Sequence, residues 1–388
     1  MSPRSKGGGK QQRSLRTGEI FMLPTDANLT EAVPPATFDH VVRSPSQRGM
    51  GEDKQLLLAA AEAARDFSRP DPRIYWGDLA ATAVVAYGAL AGALLLPFRA
   101  VALALCIVSA LAFYRALSFI HELTHIRRDR LPGFSAAWNV LIGIPLLTPG
   151  FMYDDVHTRH HAKTTYGTSR DPEYLPLASM GRGALVLFVC VSALAPLGLL
   201  FRFAVVAPFS LFGSALRKVV VERYSALAIN PSFRRPPPTG AFRREWLIQE
   251  VAASVWAMAI LVLVAAGLIS LNSLLIALGI GSGVAVINQV RTLGAHLWDN
   301  ESGDPMSLTA QYLDSVNVPP PATLPVLWAP VGLRYHALHH LLPSVPYHAL
   351  GTVHRHLSLE LGDRGTFRRA DYHDLRSVIA RIAARFSR

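Results

Sequence analysis

Eight of the 14 histidines in this 388-residue chain fall into three tight groups. His121 and His125 form HELTH, His157, His160 and His161 form HTRHH, and His336, His339 and His340 form HALHH. Spacings of three and four residues place side chains on one face of a helix. A metal ion needs several ligands converging from one side, so this spacing suits a metal site. Neutral imidazole binds iron, zinc, copper and nickel well. Eight such ligands are too many for one ion and enough for two. The isolated His296, in RTLGAH, is a ninth candidate, because it lies just past the last long apolar segment. The alternative for His296 is an ordinary interfacial histidine. His40, His348, His354, His356 and His373 lie outside the pattern and read as structural, with His348 in PSVPYH a candidate for the layer behind the ligands.

Groups so far apart in sequence need a scaffold that brings them together, and the composition says what kind. Hydrophobic residues make up 51% of the chain and charged residues 17%, against roughly 25% charged in soluble proteins. Leu79 to Phe98 is uncharged over 20 residues and Val251 to Val290 over 40. About 20 apolar residues in a helix cross a bilayer core of roughly 30 Å. The expected fold class is therefore all-α and integral to a membrane. The net charge of +11 would suggest nucleic acid in a soluble protein. Here the basic residues sit in the tails and between apolar segments, which is the positive-inside pattern, and no nucleic-acid motif accompanies them. Cys106 and Cys190 lie within apolar stretches and read as small buried hydrophobes.

Along the chain, residues 1 to 50 read as a disordered basic tail, with no signal peptide. Residues 51 to 350 read as a membrane domain with a cytosolic helical cap, and 351 to 388 as an amphipathic helical tail that lies on the membrane surface. An amphipathic helix is expected over 52–68. Spans are expected at about 79–98, 100–120, 251–269 and 274–290, forming two hairpins. Leu131 to Tyr153 contains Asn139, Pro145 and Pro149, which suit an interfacial or re-entrant segment better than a straight span. The stretch 184–216 must also return to the side it left, bending near Pro196. A single crossing there would strand His296 and the third group away from the others. Both termini and all three groups are then cytosolic.

HELTH also matches HExxH, in which two histidines bind zinc and the glutamate activates water. A membrane protease using His121, His125, Glu122 and Asp314 as third protein ligand is one alternative, but it leaves both HxxHH groups unexplained. Soluble-type di-iron carboxylate sites need two Glu-x-x-His motifs, and only Glu122 with His125 fits. A metal transporter would carry its ligands midway through its spans, whereas these lie at or beyond span ends.

HxxxH, HxxHH and HxxHH, in that order around two hairpins, resemble the membrane fatty acid desaturase family over roughly residues 70–350. DPEYLPLA after the second group, RTLGAH before the third and LLPSVPYH after it are similar to bacterial members. The resemblance implies two irons held on the cytosolic face of a bacterial inner membrane by His121, His125, His157, His160, His161, His296, His336, His339 and His340. It implies O2 as co-substrate and a fatty acyl lipid or acyl thioester as substrate. Some members carry an asparagine four residues before the isolated histidine, where it holds a water on iron; here that position is Thr292. Desaturation is the expected reaction, with hydroxylation or ketolation of a lipid by the same iron chemistry as the alternative. The chain has no His-Pro-Gly-Gly haem motif, no GxGxxG after a strand and no cysteine cluster. A separate electron donor such as a ferredoxin is therefore implied.

Overall fold

A computed structural model describes residues 45–362 and 365–387. The expected tail lies outside the described residues up to Ser44, and so does His40; its last residues open the first helix, α1 (Pro45–Phe67). Among the described residues there is no β-strand, only isolated bridges between loops. Among the described residues five helices are long and apolar enough to cross a membrane: α2 (Pro72–Leu95), α3 (Arg99–His125), α4 (Arg182–Phe212), α5 (Gly240–Ala265) and α6 (Leu271–Leu293). No more than a third of the apolar stretch of any of them is buried. Large apolar side chains such as Val84, Leu103, Leu187, Val262 and Leu275 face outward. Such a surface belongs in lipid.

Sequence sets the ends of these helices. The Asp71 carboxylate accepts from Arg73 N at 2.8 Å, and Pro72 occupies the first helical position of α2, where its missing N–H costs nothing. Ala83, Ala86, Ala89 and Ala93 are buried along one face of α2, and such small residues let helices approach closely. There Ser109 Oγ of α3 donates to Ala86 O at 3.0 Å. The α5–α6 turn passes through Gly267 at φ +71°, a left-handed conformation that glycine adopts freely, and Ser270 caps α6 through Ser273 N at 3.0 Å.

The segment α4 is irregular. It changes from α to 3-10 over Val191–Leu194 and to π over Arg202–Val206. Its first half packs along α6, where Ser282 Oγ donates to Ala193 O at 2.7 Å. A side-chain carbon at Gly281 would sit 3.1 Å from Pro196. Its second half packs on α5. There buried Arg202 donates to Glu250 at 2.7 Å and Phe203 joins Trp246 and Phe151 in one apolar cluster.

The rest of the described chain consists of further helices and loops. Leu56, Ala59, Ala60 and Ala63 of α1 pack on Leu350, Val353 and Leu357 of α7 (Tyr347–Leu361). The segment expected to be interfacial forms a short helix at Phe134–Gly143. The C-terminal helix Leu375–Ala383 differs from expectation. Val378 and Ile382 are fully buried in a cluster with Leu293, Leu297 and Trp298. The apolar face read from the sequence is real, but it is turned into protein, not onto a membrane surface.

Candidate metal centre

The first histidine group rides on the last turn of α3. The second occupies a short helix, Val156–His160, with His161 at its end, and the third a short helix, His336–Leu341. His296 follows α6 and is held by paired loops: Val316 N donates to Ala295 O at 2.9 Å and Leu297 N to Asp314 O at 2.6 Å. Buried Asn317 ties this strip to the third group, its Oδ1 accepting from Leu338 N at 3.0 Å. Its backbone pairs with Ala370 O and Tyr372 N at 2.8 Å each. Three non-glycine residues with positive φ flank the groups: Asp155 (66°), Trp298 (61°) and Val331 (50°). Such backbone is costly and concentrates at functional sites.

All nine candidate histidines converge, and they sort into two clusters. His121, His125, His157, His161 and His339 offer nitrogens within 4.8 Å of one another; His160, His296, His336 and His340 do the same. In the first, His339 Nε2 lies 3.1 Å from His125 Nε2 and 3.2 Å from His161 Nε2, and the His157 and His161 Nε2 atoms are 3.0 Å apart. In the second, His336 Nε2 lies 3.0 Å from His296 Nε2 and 3.1 Å from His340 Nε2. Each HxxHH is thus divided between the clusters, its first and last histidines in one and its middle histidine in the other.

Behind the imidazoles stands a layer of acceptors. Asp171 is fully buried, and its oxygens lie 2.9 and 3.0 Å from His160 Nδ1. Glu173 Oε1 lies 2.9 Å from His157 Nδ1, and Tyr153 donates to Oε2 at 2.9 Å. Tyr166 Oη is 2.9 Å from His296 Nδ1 and donates to Asp314 at 2.8 Å. A carboxylate that takes the Nδ1–H fixes the tautomer and leaves the Nε2 lone pair facing inward, which is how metal-ligating histidines are held. Burial, then neighbouring imidazoles, push the pKa of His157, His161, His339 and His340 down, and burial, then His296, does so for His336. Neutral imidazole is the ligating form. Burial opposes a charge on His160 too, but Asp171 outweighs it and raises that pKa. Burial pushes Glu173 up to about 7 and Asp314 up to about 6. Converging lone pairs repel unless a cation joins them, and two all-nitrogen pockets suit two transition-metal ions, iron among them.

Asp171, Glu173 and Tyr166 carry no regular spacing to the histidines and escape a reading of the sequence, although two of them lie in DPEY. The protease constellation does not form. Glu122 accepts from the Tyr75 hydroxyl and, at 3.1 Å, from Tyr347 N, and Asp314 sits behind His296, outside the His121–His125 cluster. His348 accepts from Asp71 N at 3.1 Å, and His354 lies 2.9 Å from Asp371. His356 and His373 are exposed. None of the four joins either cluster.

A cavity of about 670 Å³ runs among α2, α3, α4, α5 and α6 and reaches the centre at His121 and Glu173. It is lined largely by apolar side chains, and Thr292 is part of its wall.

The fatty acid desaturase family model matches residues 97–372. A ceramide hydroxylase of Caulobacter vibrioides is 46% identical over 318 residues, which are 82% of this chain and 90% of that protein. No solved structure matches. The histidine clusters, the apolar helices and both matches agree, and the chain belongs to the fatty acid desaturase family of membrane di-iron oxidoreductases acting on lipids.

Proposed function

We propose that the nine histidines hold two irons and that the enzyme hydroxylates a ceramide-like lipid. The observation that carries the choice of reaction is the 46% identity to a ceramide hydroxylase over most of both chains. The sequence alone favours desaturation, which uses the same centre and stays the second reading. Two irons bound here supply O2 activation and removal of hydrogen from an unactivated C–H bond. The net reaction converts C–H, O2, two electrons and two protons into an alcohol and water. The electrons come from a separate carrier, a ferredoxin or its like, for which the basic loops offer an attractive surface. The protein's part is to hold the tail in the cavity, exclude water and present one carbon beside His121. Glu173, at the centre's edge, can hold a proton near neutral pH.

Expression under 18O2 in a host without endogenous oxidation of ceramide distinguishes the reactions. Mass spectrometry of extracted lipids should show ceramide that has gained one 18O atom. Ceramide that has lost two hydrogens without gaining oxygen would establish desaturation instead.

The same reading fixes the topology we propose: four crossings, α2, α3, α5 and α6, in a bacterial inner membrane, with the centre and both termini cytosolic. The contacts of α4 with α6 along its first half and with the start of α5 along its second support a segment that enters and returns. Exposed single cysteines, introduced after Cys106 and Cys190 are replaced, can test it in intact cells. Thr239→Cys and Ser307→Cys should be shielded from an impermeant reagent and Asn272→Cys labelled. Labelling at position 239 would break the shared-side reading.

A further inference from the structure

The cavity is polar at one end only. Along α6 its wall changes from Leu274, Ala277 and Leu278 to Asn288, Gln289, Arg291 and Thr292. Along α3 it changes in the same sense, from Phe113 to Ser118 and His121. Both helices run toward the histidines. From Leu274 to Thr292 a helix rises roughly 27 Å, a length suited to a long acyl chain. An amphipathic ligand in this cavity lays its tail along the apolar walls and its polar head beside the metal centre.

Arg291 stands out among the polar residues. Only 9% of it is exposed, and its Nε has no hydrogen-bond partner. Other arginines within the helices are ion-paired: Arg202, whose Nη1 is also without a partner, with Glu250 at 2.7 Å, and Arg115 with Asp78 at 3.1 Å. Arg291 has no carboxylate ion pair within the described residues; its neighbour is the Tyr114 hydroxyl, which gives its own proton to Trp328 O at 2.7 Å. Asn288 and Gln289 are half-buried, and their side chains make no hydrogen bond within the described residues. A buried guanidinium nitrogen such as the Arg291 Nε is costly unless something satisfies it. Glu173 lines the same end of the cavity and feels the Arg291 charge, but the two make no ion pair, which leaves the guanidinium a donor for a ligand.

Building on the reading above that this enzyme oxidises an acyl lipid, we propose that Arg291, with Asn288 and Gln289, holds the lipid's polar head and confines oxidation to a carbon close to that head. The head is an amide carbonyl flanked by hydroxyl groups. The guanidinium donates a charge-assisted hydrogen bond to the carbonyl, while the side-chain amides offer donors and acceptors to the N–H and O–H groups. Arg291 is thus a positioning residue, and the distance from its guanidinium to the irons sets which carbon reacts.

The test compares metal-loaded wild-type enzyme with Arg291→Gln, Arg291→Lys and Asn288→Ala. Thermal stability is measured with ceramide, with an alkane of matching tail length and with the free fatty acid. Wild type should be stabilised more by ceramide than by the alkane; Arg291→Gln should lose that increment and Arg291→Lys keep part of it. In turnover, Arg291→Gln should raise KM for ceramide by about ten- to a hundredfold, with a smaller change in kcat. Fragment spectra should place the oxidised carbon of the wild-type product near the amide and spread it over several tail positions in the variant. Asn288→Ala should change in the same direction with iron content intact, which separates head binding from misfolding. Equal stabilisation of wild type by ceramide and alkane overturns the proposal, as does a response to the fatty acid alone, or an unchanged single position of oxidation in Arg291→Gln. Head-dependent binding of ceramide without its oxidation would sink the proposed reaction and leave the head-binding role standing.

Discussion

His339→Ala is expected to leave the protein folded and inserted but to reduce turnover to below roughly a thousandth, since a two-metal reaction needs both ions in place. His339 links the third histidine group to the first two, with its Nε2 near those of His125 and His161 at 3.1 and 3.2 Å. The other cluster, His160, His296, His336 and His340, shares no residue with it. Iron content should therefore fall by roughly half, leaving one site filled. The side chain is buried, but its Nδ1 has no partner, so truncation strands no protein hydrogen bond and the fold should survive. Metal analysis and lipid turnover on the same purified sample check this. Full activity, or loss of both irons together, would contradict two separate sites.

Asp171→Asn is expected to lower activity or iron affinity by about ten- to a hundredfold, the usual cost of losing a carboxylate behind a ligating histidine. The substitution keeps the shape and removes the charge. Asp171 meets His160 Nδ1 with both oxygens and also accepts from Gly167 N at 2.8 Å and Glu173 N at 2.9 Å. It is used purely as an acceptor. An asparagine in that place turns an N–H toward one of these donors, so either the imidazole loses its fixed tautomer or the loop loses a tie. Iron occupancy and turnover at saturating reductant measure the effect. Wild-type values for both would remove Asp171 from the support of the centre.

The histidine groups were legible because one helical period governs three- and four-residue spacing wherever it occurs, and the long apolar helices because lipid demands long apolar runs. The division of nine histidines into five and four was not legible. It depends on how short helices cross, which no spacing encodes. Asp171 and Glu173 were visible as residues but not as partners. The chain reverses between Thr165 and Asp171 through turns such as Thr168 N to Thr165 O at 2.9 Å, and that reversal brings them behind His157 and His160. Asp314 shows the opposite failure: a carboxylate that suited a metal on paper stands behind Tyr166 instead. In α4, hydropathy reads 31 helical residues, while Pro196 and buried Arg202 carry the only hint that its two halves meet different helices. The C-terminal helix declared its apolar face but not what that face touches.

The backbone of Asn317 is clasped by Ala370 and Tyr372 while its side chain holds Leu338. A ribosome delivers the chain in order, so residues that fasten the third histidine group arrive about thirty positions after it. The donors of both clusters therefore exist as a loose set before they exist as a cage. During that interval the most tightly binding divalent ions have the advantage, since affinity for nitrogen donors favours copper and zinc over ferrous iron. Filling with iron, as proposed above, would then rest on the order of events in the cell: which ion is on hand when the last turn of loop closes, rather than which ion the finished cage would prefer.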